Sequence, residues 1–265
     1  GAGYQNGEAL TLPKAGTYGG TIGDITVAVN GTRNYKDNLT VTLTDSVTAD
    51  ELKSLILSYT AIPKLGQAAN ASQGSIGAIT ATVSDTTMAK LNLIPNANDT
   101  SAAANGVNQT GITGAYAISV SDDEITASEL QALDLKTTTA ISLTSSAPTI
   151  KGALTTGVTA TDYVNNVLAS TGITSVSTVN VKSSDTDNTI DEVNKVSAAT
   201  TGVVTATLTK ADGTTSYTLA ELAALNDTGN ALTINVADTG TLDAATLNVL
   251  DGKTTGAINA GTITS

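Results

Sequence analysis

A Thr-x-x-Glu tetrapeptide followed directly by Leu or Val occurs four times, pairing Thr48 with Glu51, Thr126 with Glu129, Thr189 with Glu192 and Thr218 with Glu221. This is a capping box. The hydroxyl accepts from the third amide of a helix, while the carboxylate reaches back to the amide of the capping residue. Each occurrence therefore predicts a helix start, and the next residue (Leu52, Leu130, Val193, Leu222) serves as an anchor for comparing copies. A fifth copy starts with Asp243 as cap, has no glutamate, and places Leu247 at the anchor position. Two weaker copies, anchored on Leu91 and Val164, fill the gaps.

The resemblance between copies continues past the box. Three positions after the anchors stand Leu55, Ile94, Leu133, Val167, Val196, Leu225 and Leu250, on the same helical face as the anchor. Seven positions on, three copies carry a threonine pair: Thr137-Thr138, Thr200-Thr201 and Thr254-Thr255. Four further on, Ile141, Val204 and Ile258 begin strand-like segments. The anchors are spaced by 39, 39, 34, 29, 29 and 25 residues. Periods of this size indicate units that bury their apolar faces on one another. Helices of two or three turns do not stand alone in water. The expected fold is β-rich with short capped helices, a strand–loop–short helix–strand array that is either solenoid-like or a stack of small β domains. Uneven spacing argues against a rigid β-helix with one rung per turn. Unrelated short helices in an ordinary β-rich domain are the alternative.

Three regions are expected. Residues 1–44 lack the repeat and read as an N-terminal β cap or small β domain, with strands over 21–29 and 39–44 and a turn at Asn30-Gly31. Residues 45–111 hold divergent copies and a polar loop at 95–109, and residues 112–265 hold the regular array. Within that array strands are expected at 116–120, 141–143, 175–181, 203–208, 232–236 and 257–263. The chain opens Gly-Ala-Gly without an initiator Met, and 257–264 carries no polar cap. The expectation is a processed or excised piece, or an end that docks on another copy through a strand edge.

Composition narrows the chemistry. The 265 residues include no Cys, His, Trp or Phe, so Ser-His-Asp and Cys-His catalysis and an ordinary zinc site are excluded. A polysaccharide-cleaving carboxylate pair would normally come with aromatic sugar platforms, and this chain has no Trp. No enzyme is expected. The net charge of -12 disfavours nucleic acid, and no apolar run approaches the ~20 residues of a membrane span. Acidic clusters are the site-like feature: Asp185, Asp187 and Asp191 around the third box, and Asp122 and Asp123 before the second. Calcium, which takes about six to eight oxygens, is the candidate ion. The EF-hand pattern is not met, and the other reading is that these acids form Asx-turns and complement helix N-termini.

The motif L-x-x-L-D-x-x-T-T-x-A-I, present at 130–141 and 247–258, resembles the Thr/Ala-rich repeats of large extracellular surface or fibre proteins of marine bacteria, especially cyanobacteria, and of their phages. The resemblance covers 112–265 well and 41–100 loosely. It implies an extracellular or cell-surface location and a structural or adhesive role, and it carries over no functional residue. Two functions follow as expectations. One is a non-enzymatic, self-assembling subunit or segment of a fibre, sheath or surface layer, polymerising through strand edges or array ends. The alternative is an adhesin or phage-appendage module that binds a cell-surface glycan, stiffened by calcium.

Overall fold

The four capping boxes form as their spacing requires. Each glutamate accepts from the amide of its own threonine at 2.8 Å for Glu51, Glu192 and Glu221 and 3.1 Å for Glu129. The threonine hydroxyls accept from the glutamate amides at 3.2–3.3 Å. The Asp243 carboxylate takes the amides of Ala245 and Thr246. Caps of this kind contribute about 1 kcal/mol each, so helices too short for propensity alone start at defined residues.

A computed structural model of the chain describes residues 9–12, 25–28, 39–60, 76–95, 113–154, 164–186, 188–210, 216–238 and 242–260. Its elements, in order, are β1 (Ala9–Leu12), β2 (Ile25–Ala28), β3 (Leu39–Leu43), α1 (Ala49–Thr60), β4 (Ile76–Thr82), α2 (Met88–Leu91), β5 (Thr113–Ala117), β6 (Ser119–Val120), β7 (Glu124–Thr126), α3 (Ala127–Asp134), β8 (Ile141–Leu143), β9 (Thr149–Gly152), α4 (Val164–Leu168), β10 (Ile173–Thr174), a 3-10 turn (Val176–Thr178), β11 (Asn180–Ser183), α5 (Ile190–Ser197), β12 (Val204–Thr207), α6 (Leu219–Leu222), β13 (Ala231–Asn235), α7 (Ala244–Asp251) and β14 (Ile258–Asn259). The architecture is mixed α/β, with parallel sheets, short helices and, among the described residues, no closed barrel.

The chain divides into two compact units, residues 1–121 with 132–144, and residues 122–131 with 145–265. In the first, β1, β2 and β3 pair antiparallel, and β3, β4 and β5 continue the sheet in parallel. β6 and β8 pair in parallel in another sheet. In the second, a parallel sheet runs β7-β9-β11-β12-β13-β14, neighbour following neighbour in chain order. Parallel neighbours need a crossover, and α4, α5, α6 and α7 each lie between consecutive strands of that sheet.

The aligned positions supply much of the core. The anchors Leu52, Leu91, Leu130, Val164, Val193 and Leu222 are buried, as are Ile94, Leu133, Val167, Val196, Leu225 and Leu250 three residues on. Two positions depart from the pattern. In α1 the side chain at the third offset, Leu55, is only half-buried, and Ile56 beside it is fully buried. A longer helix turns its stripe by one residue, as 3.6 residues per turn allows. In α7 the anchor Leu247 is half-buried, whereas its counterparts are enclosed.

The strand expected at 175–181 does not form as one element. Ser175 takes a left-handed conformation, φ 65°, and starts the 3-10 turn, so the strand begins only at Asn180. β9 was not expected, because Ile150 is its one large apolar residue. Thr126 closes β7 and caps α3 at once. Asn30-Gly31, most of the 95–109 loop, Asp187 and the 261–263 end of the last expected strand lie outside the described residues.

The difference between Leu55 and Ile56 has a measurable consequence. Ile56→Ala is expected to cost about 3 kcal/mol, as for a fully buried aliphatic side chain, and Leu55→Ala about 1 kcal/mol. Urea denaturation of the two variants reads both values.

Candidate functional site

The threonine pairs build the arrangement that recurs along the chain. The first member of each pair is buried at 5–6% exposure, where a hydroxyl must find partners. A hydroxyl is both donor and acceptor, so it can close onto an amide and a carbonyl together. Thr137 Oγ1 donates to the Tyr116 carbonyl at 2.9 Å and accepts the amides of Tyr116 at 2.8 Å and Thr139 at 3.1 Å. Thr254 Oγ1 accepts the amides of Leu232 at 2.8 Å and Gly256 at 2.9 Å, and the Leu232 carbonyl lies 2.9 Å away. Thr200 Oγ1 donates to the Val179 carbonyl at 2.6 Å and accepts the Gly202 amide at 3.1 Å. The second threonine of each pair donates its amide to Gly114, Ser177 or Asn230, at 2.7–2.8 Å. Its hydroxyl lies within 3.0–3.3 Å of the same carbonyl.

Each pair thus clasps the backbone of the preceding strand or turn. Where that approach is closest the following residue is glycine. A Cβ on Gly202 or Gly256 would fall onto the carbonyl of Val179 or Leu232. The copy anchored at Leu222 has Gly229-Asn230 instead of two threonines. Gly229 takes φ 84°, and buried Asn230 does the clasping, with Oδ1 accepting the Val204 amide at 2.9 Å and Nδ2 donating to Ser197 Oγ at 2.8 Å.

Two further contacts run in the same direction, from a later unit to an earlier one. Carboxylates receive free backbone amides: Asp85 from Ala49 at 2.8 Å, Asp238 from Leu219 at 2.7 Å and Asp185 from Leu154 at 3.1 Å. Ala49 and Leu219 are the first residues of α1 and α6, so these acids complete the caps from outside. Lysines take carbonyls just beyond earlier helices: Lys136 Nζ donates to Asn92 at 3.0 Å and Lys253 Nζ to Leu225 at 2.6 Å. Burial lowers the pKa of Lys136.

The acids singled out in the sequence are placed as follows. Asp185 receives Leu154. Asp123 accepts Ser145 Oγ at 2.6 Å. Asp122 is half-buried, and Asp191 is exposed in the first turn of α5. Among the described residues no three His, Cys, Asp or Glu side chains gather as a metal-ion group. Sequence reasoning saw the threonine pairs as a shared offset between copies and missed their clasping role. It also passed over Asp85, Asp238, Lys136 and Lys253. The two lysines stand immediately before Thr137 and Thr254, and that shared offset was the available signal. Tyr116 was likewise unmarked. Its ring fills the space beside Gly114, and its hydroxyl is the buried side-chain polar atom without a hydrogen-bond partner among the described residues. Burial raises its pKa.

No family model, no curated protein and no solved structure matches the chain. The site's meaning therefore rests on its own geometry.

Two outcomes are expected. Thr254→Val preserves shape but strips a hydroxyl from buried amides, at a cost of about 2 kcal/mol, while Thr255→Val, at the exposed member, costs well under about 1 kcal/mol. Chemical denaturation separates them. The second concerns the box at α6. The Glu221 carboxyl is held down at about 2, first by the Lys210 ammonium at 2.8 Å and then by the Thr218 amide and hydroxyl. A carboxyl whose folded pKa lies below its ordinary 4.5 stabilises the fold above that value, and the stabilisation is lost as pH falls toward 2. Glu221→Gln is expected to flatten the fall in stability between about pH 5 and about pH 2, read as urea midpoints across that range.

Proposed function

We propose that this chain is a non-enzymatic structural repeat protein, a subunit or segment of an extracellular fibre, sheath or surface layer. One observation carries the reading. The same clasp, made by Thr137, Thr200 and Thr254 and mimicked by Asn230, ties one strand–helix unit after another to the backbone before it. Its polar groups face backbone, and they are spent on holding units together. This is how a solenoid-like array is stabilised: each unit contacts its neighbours and the total is a sum over interfaces. The cysteine-free, hydroxyl-rich composition, with aromatics at 3%, supports an extracellular setting.

Self-association through sheet edges and unit faces follows from the same reading. An edge strand offers unpaired amides and carbonyls to another chain, and β14 and β7 are the outer strands of the six-stranded parallel sheet. Electron microscopy of the purified protein at rising concentration tests the proposal. Ordered filaments or sheets are expected. Discrete particles that remain monomeric and are retained on immobilised glycans would overturn it in favour of a binding module.

A further inference from the structure

Asn194 reaches forward to the carbonyl of Ala224 and the amide of Asn226, but one set of contacts between units points only backward, and that set leaves one face incomplete. The clasping threonines, Asp85, Asp185 and Asp238, and Lys136 and Lys253 all act on residues earlier in the chain. The unit of α7 carries all three, Asp238, Lys253 and the Thr254-Thr255 pair, on its leading face. A unit's trailing face offers the first helical amide, a strand and the carbonyls after the helix. α6 shows the trailing face fully covered: Leu219 donates to Asp238, Leu225 receives Lys253, and Leu222 is 1% exposed.

The unit of α7 and β14 presents the same trailing groups with no such cover among the described residues. Leu247 and Ile258 are half-buried, whereas Leu222 and Val204, at the same offsets in interior copies, are enclosed. Val249 on α7 is 64% exposed. Among the described residues β14 pairs with β13 alone, where Ile234 meets Ile258. Among the described residues the Ala244 amide, which begins α7, receives no carboxylate of the kind that Asp238 gives Leu219.

We propose that the α7–β14 face is a docking surface for a further strand–helix unit of this same pattern, one bearing L-x-x-L-D-x-K-T-T-x-A-I and an aspartate ahead of its helix. The inference rests on the array reading above and adds the chemistry of the partner. The occupant's threonine pair closes on the backbone leading into β14, its aspartate receives the Ala244 amide, its lysine takes a carbonyl after α7, and its aliphatic residues bury Leu247 and Ile258. The interface between α6 and α7 argues for this occupant, because there Asp238, Lys253 and the Thr254-Thr255 pair cover the equivalent face of the preceding unit.

The test extends the natural chain. Residues 261–265 are replaced by a second copy of residues 237–260, which keeps the register set by Ile234 and Ile258. A docked copy is expected to raise the thermal midpoint by about 3 °C or more and to slow amide exchange in α7 and β14. The same extension with Val at the copied Thr254 and Thr255 is expected to lose that gain. An unchanged midpoint and unchanged exchange, or a Val-bearing copy that protects equally well, would overturn the proposal. Thr200→Val in the unextended chain keeps the two readings apart. If it does not lower the midpoint, the array reading itself falls. If it does while the extension gives nothing, only the docking surface falls.

Discussion

The structure depends on one property of the threonine hydroxyl: it gives one hydrogen bond and accepts others from the same atom. A buried strand residue whose amide and carbonyl point away from its paired neighbour has both groups to satisfy. Thr137 answers both for Tyr116, and Thr254 has both groups of Leu232 within reach. Valine has the same shape but no polar atom, and serine lacks the methyl that helps fill a buried site. Each clasp is worth little as a single bond. It is costly to remove because the groups it serves are out of reach of water. That asymmetry explains why the first threonine of each pair is buried while the second stands at the surface.

A chain of small side chains needs such devices. With no Phe or Trp and few large residues, each unit buries modest apolar area, and its helix is too short to persist alone. Capping boxes define where each helix starts. Clasps, outside carboxylates and lysines tie later segments to the backbone of earlier ones. The two sets meet at α6, where Thr218 and Glu221 cap from within and Asp238 caps from the following unit. Polar contacts here supply the geometry, and the Leu and Val stripes supply the free energy.

Much of this was legible. The four boxes were read from residue order alone, because their atoms sit within three positions of each other and their geometry is local. The aliphatic stripe at anchor and third offset was legible for the same reason. Leu55 and Leu247 are the exceptions: in α1 the fully buried side chain is Ile56, and in α7 the anchor is only half-buried. The structure gives Asp185 and Asp123 to a backbone amide and a serine hydroxyl, contacts whose partners stand 31 and 22 positions away in the chain. Ser175 turned an alternating segment into a 3-10 turn through a left-handed φ that residue identity does not announce.

What residue order determined by itself was therefore local: the caps, the apolar stripes, the period of the copies, and the absence of side chains from which a nucleophile–histidine relay or a zinc site is made. Tertiary structure alone decided the partners of Thr137, Thr200, Thr254, Asp85, Asp238 and Lys253, and with them the direction in which one unit grips the last. The reason is physical. A cap closes within one turn of backbone, so sequence spacing specifies it. A clasp closes across a crossover of twenty or more residues, and only the parallel pairing of strands brings its two ends together.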